Sequence, residues 1–277
     1  MGVRRLRLDA ELVRRGLARS RDHAAELIAE GRVSVQGQRA TKPATAVTVD
    51  ADLVVREDPG KPDYVSRGGH KLAGALSAFS PFGLSVAGRR CLDAGASTGG
   101  FTDVLLRAGA AEVVAVDVGY GQLAWSLQSD DRVQVHDRTN IRDLTPELIG
   151  GPVDVVVGDL SFISLRLVLD ALIGVTTPGG ALALMVKPQF EVGKERLGKG
   201  GVVREPELRT EAVLRVAEEA AARGWGAVAV AVSPLPGPSG NVEFFLLLRF
   251  GPTAITEADI AAEVSRSAIA GEAGERL

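Results

Sequence analysis

Apolar and polar residues follow one pattern in the first sixty residues and another in the rest of the chain. The upstream pattern predicts two short helices, the second over residues 21–30 with Ser20 as its N-cap. Residues 33–35 then alternate as a strand, and a second extended stretch covers residues 46–55. We therefore predict a small α+β domain over residues 1–58.

A composition break separates this segment from the rest of the chain. Residues 57–63 contain two prolines and one glycine, which disfavour continuous helix or strand. We place a linker at residues 59–65 and a second domain at residues 66–277.

The downstream pattern alternates strands and helices, with apolar runs that are nearly continuous. Continuous apolar strands indicate a parallel sheet covered on both faces, an α/β fold of Rossmann-like type. Because no strong helix separates the last two strands, we expect the final strand to be antiparallel. The predicted strands cover residues 91–94, 112–118, 133–136, 153–158, 181–186, 228–232 and 243–250. One predicted helix follows the first strand and ends near Gly109. The others cover residues 123–127, 165–173 and 207–223.

Composition excludes several classes of protein. The single cysteine, Cys91, rules out a disulfide framework, and with three histidines it argues against a structural zinc site. The N-terminus has no apolar signal stretch, and no run approaches the roughly 18–20 apolar residues that a membrane span requires. We expect a soluble, cytoplasmic protein without a metal.

Charge is unevenly distributed along the chain. Residues 1–42 hold ten Lys or Arg and five Asp or Glu, a charge of +5, so the other residues carry −8 of the net −3. A basic module on an acidic body indicates a nucleic-acid contact, although an ordinary solvated face is the alternative. The candidate phosphate-binding residues here are Arg4, Arg5, Arg14, Arg15, Arg19, Arg21 and Lys42.

Residues 8–55 also follow a specific order. Leu-Asp-x-x-Leu-Val-x-x-Gly-Leu-x-x-Ser-Arg precedes Ala-x-x-Leu-Ile-x-x-Gly-x-Val-x-Val-x-Gly, and Lys-Pro follows. This order resembles the alpha-L RNA-binding fold of a small-subunit ribosomal protein. The resemblance implies that the helix pair binds structured RNA.

A glycine-rich turn follows the first strand of the large domain. It lacks the Gly-Lys-Ser/Thr of nucleotide phosphate loops and the G-x-G-x-x-G spacing of dinucleotide folds. Asp93 suits a cofactor amino group, and Asp117, 22 residues after Gly95, falls where a carboxylate holds ribose hydroxyls. Asp137 or Asn140 could contact an adenine. The turn residues proposed to contact the cofactor are Gly95, Ser97, Thr98, Gly99, Gly100 and Phe101.

This arrangement resembles S-adenosylmethionine-dependent methyltransferases, which implies that cofactor and a class I methyltransferase fold. A tight strand-to-helix turn without a ligand is the alternative.

Four charged residues form the candidate catalytic set. Asp159 and Lys187 follow predicted strands, Glu243 begins the last one, and Lys71 lies on a helix before the first. Ligands bind at the carboxyl ends of parallel strands, so all four are expected at one rim. An ammonium group among carboxylates can orient a ribose hydroxyl and stabilise the developing alkoxide. A lysine that burial keeps neutral can also accept the proton, and Lys187 is the candidate for this role.

The order Lys-Asp-Lys-Glu resembles the FtsJ-like RNA 2′-O-methyltransferases. Over nearly the full length the chain is similar to the TlyA family, in Val-Ser-Arg-Gly-Gly-His-Lys-Leu at 65–72, Asp-Leu-Ser-Phe-Ile-Ser at 159–164, Val-Lys-Pro-Gln-Phe-Glu-Val-Gly at 186–193 and Pro-Gly-Pro-Ser-Gly-Asn-Val-Glu at 236–243. The resemblance implies methylation of cytidine 2′-hydroxyls in 16S and 23S rRNA, 30S and 50S subunits as partners, and an effect on sensitivity to peptide antibiotics.

Four further basic residues are candidate RNA contacts. Arg67 precedes Lys71, and a glycine-rich segment between residues 190 and 204 could close over RNA or be an ordinary surface loop. The candidates in that segment are Lys194, Arg196 and Lys199.

Two other functions compete with methyl transfer. Some members of the family carry haemolysin names, which would mean a membrane-acting protein. A non-catalytic ribosome-assembly factor would need only the small RNA-binding domain.

Overall fold

The computed structural model describes residues 5–56, 62–237 and 239–274. Its contacts divide the chain into two compact units, Met1–Asp63 and Tyr64–Leu277, called below the small unit and the large unit.

The predicted linker at residues 59–65 spans the division between the two units. Tyr64 and Val65 pack against the core of the large unit, and the Val65 N–H donates to the Asp103 carboxylate at 2.8 Å. The proline- and glycine-containing residues 57–61 lie outside the described residues.

In the small unit, two helices pack beside short strands. The elements are β1 (Arg5–Arg7), α1 (Leu8–Arg14), α2 (Arg21–Ala29), β2 (Val33–Val35), β3 (Gln38–Arg39), β4 (Ala46–Thr48) and β5 (Leu53–Val55). Ser20 caps α2 as predicted, accepting from the His23 N–H at 3.1 Å. The extended stretch 46–55 is two strands, because a turn closed by the Ala51 N–H and the Thr48 carbonyl interrupts it. β4 pairs with β1, which the sequence pattern does not predict, and β5 pairs with β2.

Two buried carboxylates organise the arginines of the small unit. Asp9 accepts from Arg7 at 2.8 Å and from Arg21 at 3.1 Å. Glu11 accepts from Arg14 at 2.6 Å and from Arg15 at 2.7 Å. The guanidinium groups of Arg7 and Arg21 hold the pKa of Asp9 well below its usual range, and those of Arg14 and Arg15 lower the pKa of Glu11 to about 2.

The large unit alternates strands and helices from residue 68 onward. Its elements are α3 (Gly68–Phe79), β6 (Arg90–Ala94), α4 (Gly100–Arg107), β7 (Glu112–Val116), α5 (Trp125–Gln128), β8 (Val133–His136), β9 (Val153–Gly158), α6 (Leu169–Gly174), β10 (Thr176–Val186), α7 (Pro188–Glu191), α8 (Pro206–Ala221), β11 (Trp225–Val232), β12 (Phe244–Phe250) and α9 (Glu257–Gly274).

Among the described residues, the strands of the large unit form a seven-stranded sheet in the order β11-β12-β10-β9-β6-β7-β8. β8, β7, β6, β9 and β10 run parallel to one another, and β12 runs antiparallel to both of its neighbours. The expected mostly parallel sheet with an antiparallel last strand is therefore confirmed. Hydrophobic clusters cover both faces of the sheet, which accounts for the continuous apolar runs.

Three elements differ from the sequence-based expectation. The predicted helix 165–173 is a 3-10 turn, Leu165–Leu167, followed by α6. β10 begins at Thr176, upstream of a Pro-Gly-Gly segment that disfavours a strand assignment, and its register with β9 shifts there. The unpredicted α9 packs on α8 through the buried Ile260 and Val264. No helix in the described ranges is both long and apolar enough to cross a membrane.

We predict that Arg15 stabilises the small unit more than Arg14 does. Arg15 donates to Glu11 and also to the carbonyl groups of Val49 and Ala51, both at 2.7 Å. Arg15→Ala should lower the unfolding free energy of this unit by about 2 kcal/mol, because hydrogen bonds that include a charged group are lost. Hydrogen exchange over residues 5–56 of the intact chain measures this loss.

The control is Arg14→Ala, which leaves Arg15 on Glu11. Equal losses for the two variants would contradict the structural role of Arg15.

Candidate active site

The sheet register brings three of the four candidate catalytic residues to one edge. Asp159 follows β9, and Lys187 follows β10 one residue beyond Val186. Val186 pairs with Phe244 in the antiparallel β12, so Glu243 lies across the ladder from Lys187. Because β12 is reversed, its first residue meets the carboxyl ends of the parallel strands.

Lys71 reaches this edge from α3. Its Nζ donates to Glu243 Oε2 at 2.5 Å, although 172 residues separate the two in sequence. Lys71 is 7% exposed and Glu243 is 1% exposed. Burial of either charge alone would cost several kcal/mol, so each requires the other. Glu243 Oε1 is buried and has no hydrogen-bond partner within the described residues.

Lys187 forms a second ion pair at the same edge. Its Nζ lies 2.5 Å from Asp159 Oδ1 and donates to Ser161 Oγ at 2.8 Å. Asp159 Oδ1 has no hydrogen-bond partner among the described residues, so its contact with Lys187 is an ion pair. The hydrogen bond to Ser161 uses one of the three N–H donors of the ammonium group, which leaves a donor for a further acceptor. The Asp159 side chain is more accessible than that of Lys187, so this pair is open to the cavity on the carboxylate side.

Both ion pairs border one cavity, called here the first cavity, with a volume of about 240 Å³. Lys71 and Asp159, one member of each pair, belong to its lining. The other lining residues are Ser66, Arg67, Gly68, Gly95, Ala96, Ser97, Thr98, Gly100, Phe101 and Pro236. The four expected catalytic residues therefore form two ion pairs beside a shared space.

The glycine-rich turn lines both this cavity and a second one, because Gly95 and Ser97 contact both. Gly95 has φ +85°, and a Cβ there would lie 2.9 Å from the Asp159 carbonyl oxygen. A side chain would therefore clash with the backbone that carries Asp159. Ser97 has φ +48°, and its N–H donates to Asp117 Oδ2 at 2.8 Å. Gly99 also has a packing role, because a Cβ there would overlap Leu127.

Asp93 lies beneath the turn with no exposed surface. Its Oδ2 accepts from the Thr102 hydroxyl at 2.7 Å, but Oδ1 has no partner among the described residues. Burial raises the pKa of Asp93 to about 7, against the hydrogen bonds from Thr102. A buried acceptor without a partner, next to a glycine-rich turn, fits a ligand that brings an amino group.

The second cavity, of about 470 Å³, lies on the β7 side of Gly95. Asp117 lines it with its carboxylate held by the N–H groups of Ser97 and Gly119. Asn140 also lines it, whereas Asp137 does not and accepts instead from the Gly121 N–H. The remaining lining residues include Val118, Gln122, Ile141, Arg142, Leu160, Phe162 and Ile163. Carboxylate, amide and apolar groups together suit a nucleoside.

The candidate RNA contacts of the large unit divide into two groups. Arg67 lines the first cavity, and Lys194 and Lys199 are exposed. Arg196 instead makes two bonds of 2.6 Å to Glu211 of α8, so it anchors its segment.

In the small unit, most candidate contacts already have protein partners. Arg14, Arg15 and Arg21 bind the buried carboxylates described above, and Arg19 donates to Asp63 at 2.6 Å. Arg5 and Lys42 are exposed, and Arg4 lies outside the described residues.

Sequence reasoning missed three polar residues that complete the site. Ser161 holds Lys187, Thr102 holds Asp93, and Asn241 is 2% exposed near Glu243. Ser161 and Asn241 lie inside the family motifs at residues 159–164 and 236–243, but only burial and distance reveal their contacts. No cluster of three His, Cys, Asp or Glu side chains suited to a metal occurs in the described part of the chain.

Comparison with known proteins decides the family. The model for FtsJ-like methyltransferases matches residues 64–250, and the S4 domain model matches residues 6–53. The chain is 63% identical over 247 residues, 89% of its own length, to the 16S/23S rRNA (cytidine-2′-O)-methyltransferase TlyA of Mycobacterium tuberculosis, of which it covers 91%. The chain belongs to the TlyA family of FtsJ-like methyltransferases.

Two further similarities agree with this family. Bacillus subtilis YqxC, which carries an rRNA methyltransferase name, is 43% identical over 90% of this chain and 88% of its own length. A solved structure from Streptococcus thermophilus with a hemolysin name has a TM-score of 0.76 and 35% identity, with full coverage of both chains. The expected methyltransferase fold and the ribosomal-protein-like fold of the small unit are thus confirmed.

We predict that Asp93 makes the ligand-free protein less stable as the pH rises. The folded state keeps the Asp93 proton up to about pH 7, whereas an unfolded aspartate releases it near pH 4. The folded state therefore binds more protons between these values, and the unfolding free energy falls across this range.

Asp93→Asn removes this proton. Denaturant titrations should give a stability difference, variant minus wild type, that grows from pH 5 to pH 8. A difference that does not change with pH would refute the buried protonated carboxyl group.

We predict that Gly237→Ala lowers methyl transfer about tenfold or more. A Cβ at Gly237 would lie 2.5 Å from Glu243 Oε1, so the carboxylate would have to move relative to Lys71. A small displacement in a catalytic site is costly in rate. Gly174→Ala is the control, because a Cβ there meets no atom within 4 Å. Unchanged kinetics in Gly237→Ala would remove the requirement for a fixed Glu243.

Proposed function

We propose that this chain transfers a methyl group from S-adenosylmethionine to the 2′-hydroxyl of cytidine in 16S and 23S rRNA. The observation that carries this proposal is the two lysine–carboxylate ion pairs, Lys71–Glu243 and Lys187–Asp159, beside one cavity. The name of the Mycobacterium tuberculosis relative supports the choice of substrate. The 30S and 50S subunits are the proposed partners, which would place the activity in the cytoplasm.

The residues around the glycine-rich turn fit S-adenosylmethionine. Asp93 would accept from its amino group, Asp117 from its ribose hydroxyls, and Asn140 would face its adenine, while Gly95 leaves room for close approach. When bound, this cofactor supplies a methyl group on a sulfonium sulfur.

Lys187 is the residue proposed to act on the hydroxyl. The ion pair with Asp159 and the hydrogen bond to Ser161 fix its Nζ, and a remaining donor is available for the 2′-oxygen. A positioned ammonium group orients the oxygen and stabilises the negative charge that develops on it. The hydroxyl proton would pass to the Asp159 carboxylate, because the Lys187 ammonium group can only donate.

The Lys71–Glu243 pair is proposed to hold the target nucleotide. Its charges nearly cancel, so Lys71 lines the first cavity without an uncompensated buried charge. Arg67 adds an accessible guanidinium to the same cavity, suited to a phosphate. These contacts would bring the 2′-oxygen to Lys187 in a fixed orientation, which supplies much of the rate.

The small unit is proposed to bind rRNA through its helix pair. Its exposed guanidinium groups suit phosphate oxygens, and Asp9 and Glu11 fix three of them, Arg7, Arg14 and Arg21, in place. Lys194 and Lys199 would contribute phosphate contacts from the large unit.

The test is methyl transfer from radiolabelled S-adenosylmethionine to unmethylated 30S and 50S subunits, with mapping of the label. We expect label at a cytidine 2′-oxygen on both subunits, and a loss of about 10²-fold or more in Lys187→Ala. Arg132→Ala, an exposed residue paired with Asp130, is the matched control and should keep full activity. Lys187→Ala should still bind S-adenosylhomocysteine.

The other outcomes separate the competing functions. Tight binding of subunits without methyl transfer by the wild type would favour an assembly factor. Lysis of red cells by wild type and Lys187→Ala alike would favour a lytic protein. Label on one subunit alone would restrict the substrate.

A further inference from the structure

The segment that follows Lys187 returns to the turn that precedes Glu243. Residues 194–204, called here the basic strap, begin after α7 and end before α8. Lys194, Lys199 and Arg204 are exposed on the strap, and it is anchored by Arg196 on Glu211. Val203 is 1% exposed and packs with Val192 and Ala212. The strap is therefore a fixed part of the fold that presents cations to solvent.

One buried side chain joins the strap to the Glu243 turn. Asn241 Oδ1 accepts from the Val203 N–H at 2.9 Å, and Nδ2 donates to the Gly201 carbonyl at 3.0 Å. The oxygen and the nitrogen of this side-chain amide therefore both form hydrogen bonds to the backbone of the strap. Asn241 is 2% exposed, so loss of either bond would leave a buried polar group without a partner.

Backbone hydrogen bonds connect the turn that carries Asn241 to Glu243. The Gly237 N–H donates to the Asn241 carbonyl at 2.9 Å, and the Ser233 N–H donates to the Glu243 carbonyl at 2.8 Å. Glu243 Oε1 occupies the space where a Gly237 side chain would be. A shift of Asn241 would therefore be transmitted to the carboxylate that holds Lys71.

We propose that Asn241 is a positioning residue that couples the basic strap to Glu243, so that RNA contact at the strap sets the geometry of the catalytic pair. The strap would be tied to Lys187 through the chain at one end and to Glu243 through Asn241 at the other. This inference rests on the proposed function, since RNA is the partner assigned to the strap. Asn241 touches no reacting atom in this scheme.

The first test is a double-mutant cycle measured by methyl-transfer kinetics on the subunit that the wild type modifies. The variants are Asn241→Ala and the strap pair Lys194→Ala with Lys199→Ala, alone and combined. We expect each alone to lower kcat about tenfold or more, and the strap change to lower kcat less than about twofold once Asn241 is replaced. Fold-changes in kcat that multiply would overturn the proposal.

Two variants control for a general loss of stability. Asn241→Asp keeps an acceptor for Val203 but loses the donor to Gly201, and we expect it to lose as much kcat as Asn241→Ala. Thr176→Val removes the buried bond from the Thr176 hydroxyl to the Leu172 carbonyl at 2.7 Å, at the opposite end of β10. Thr176→Val should keep the kcat of the wild type. In every variant, the affinity for S-adenosylhomocysteine should stay within about twofold of the wild type. Loss of kcat in Thr176→Val equal to that in Asn241→Ala would overturn the specific role.

The second test does not depend on activity. Hydrogen exchange in Asn241→Ala should accelerate at the amide of Val203 and also at the amides of Ser233 and Gly237, whereas Thr176→Val should change none of them. Faster exchange at Val203 alone would show that the strap and the turn are separate, and would overturn the coupling. If the wild type methylates neither subunit, the proposed function fails while this exchange experiment still decides the role of Asn241.

Discussion

The buried contact between Lys71 and Glu243 is the interaction on which the arrangement of the active site depends. Neither charge could stay in its position without the other, because an unpaired buried charge costs several kcal/mol. The contact ties α3, upstream of the sheet, to the start of the last strand. The reversed direction of β12 makes this possible, since a parallel strand would deliver Glu243 to the opposite edge. Fold topology and catalytic geometry are thus linked through one ion pair.

The sequence could predict the order of elements and the edge at which the chemistry lies. Continuous apolar runs identified the strands, and the positions of Asp159, Lys187 and Glu243 at strand ends placed them on one rim, which the register bears out. Lys71 was placed in the set from its helix before the first strand, but no local pattern could reveal its partner 172 residues away. Asp93 was assigned from its position at the end of a strand, but its missing hydrogen-bond partner is a property of three-dimensional packing.

The sequence could not separate residues that contact a ligand from residues that support them. Gly99 and Asp137 are predicted cofactor contacts, and the structure adds that Gly99 makes room for Leu127 and that Asp137 binds the Gly121 N–H. Arg15 and Arg196 are predicted RNA contacts, and the structure adds that both form bonds within the protein. Whether such a residue contacts a ligand or supports the fold depends on partners that are distant in sequence and on the direction of its side chain. Composition and spacing contain neither kind of information.

The pairing of arginines with buried acids in the small unit changes how its charge acts at a distance. Asp9 and Glu11 together offset half the charge of the four guanidinium groups that they hold. A polyanion gives up condensed counterions in proportion to the phosphates that a protein neutralises. Binding by this unit would consequently weaken with added salt less steeply than its number of arginines implies. The same pairing keeps the guanidinium planes in set directions before contact, which favours discrimination by the shape of a polyanion over attraction to charge alone.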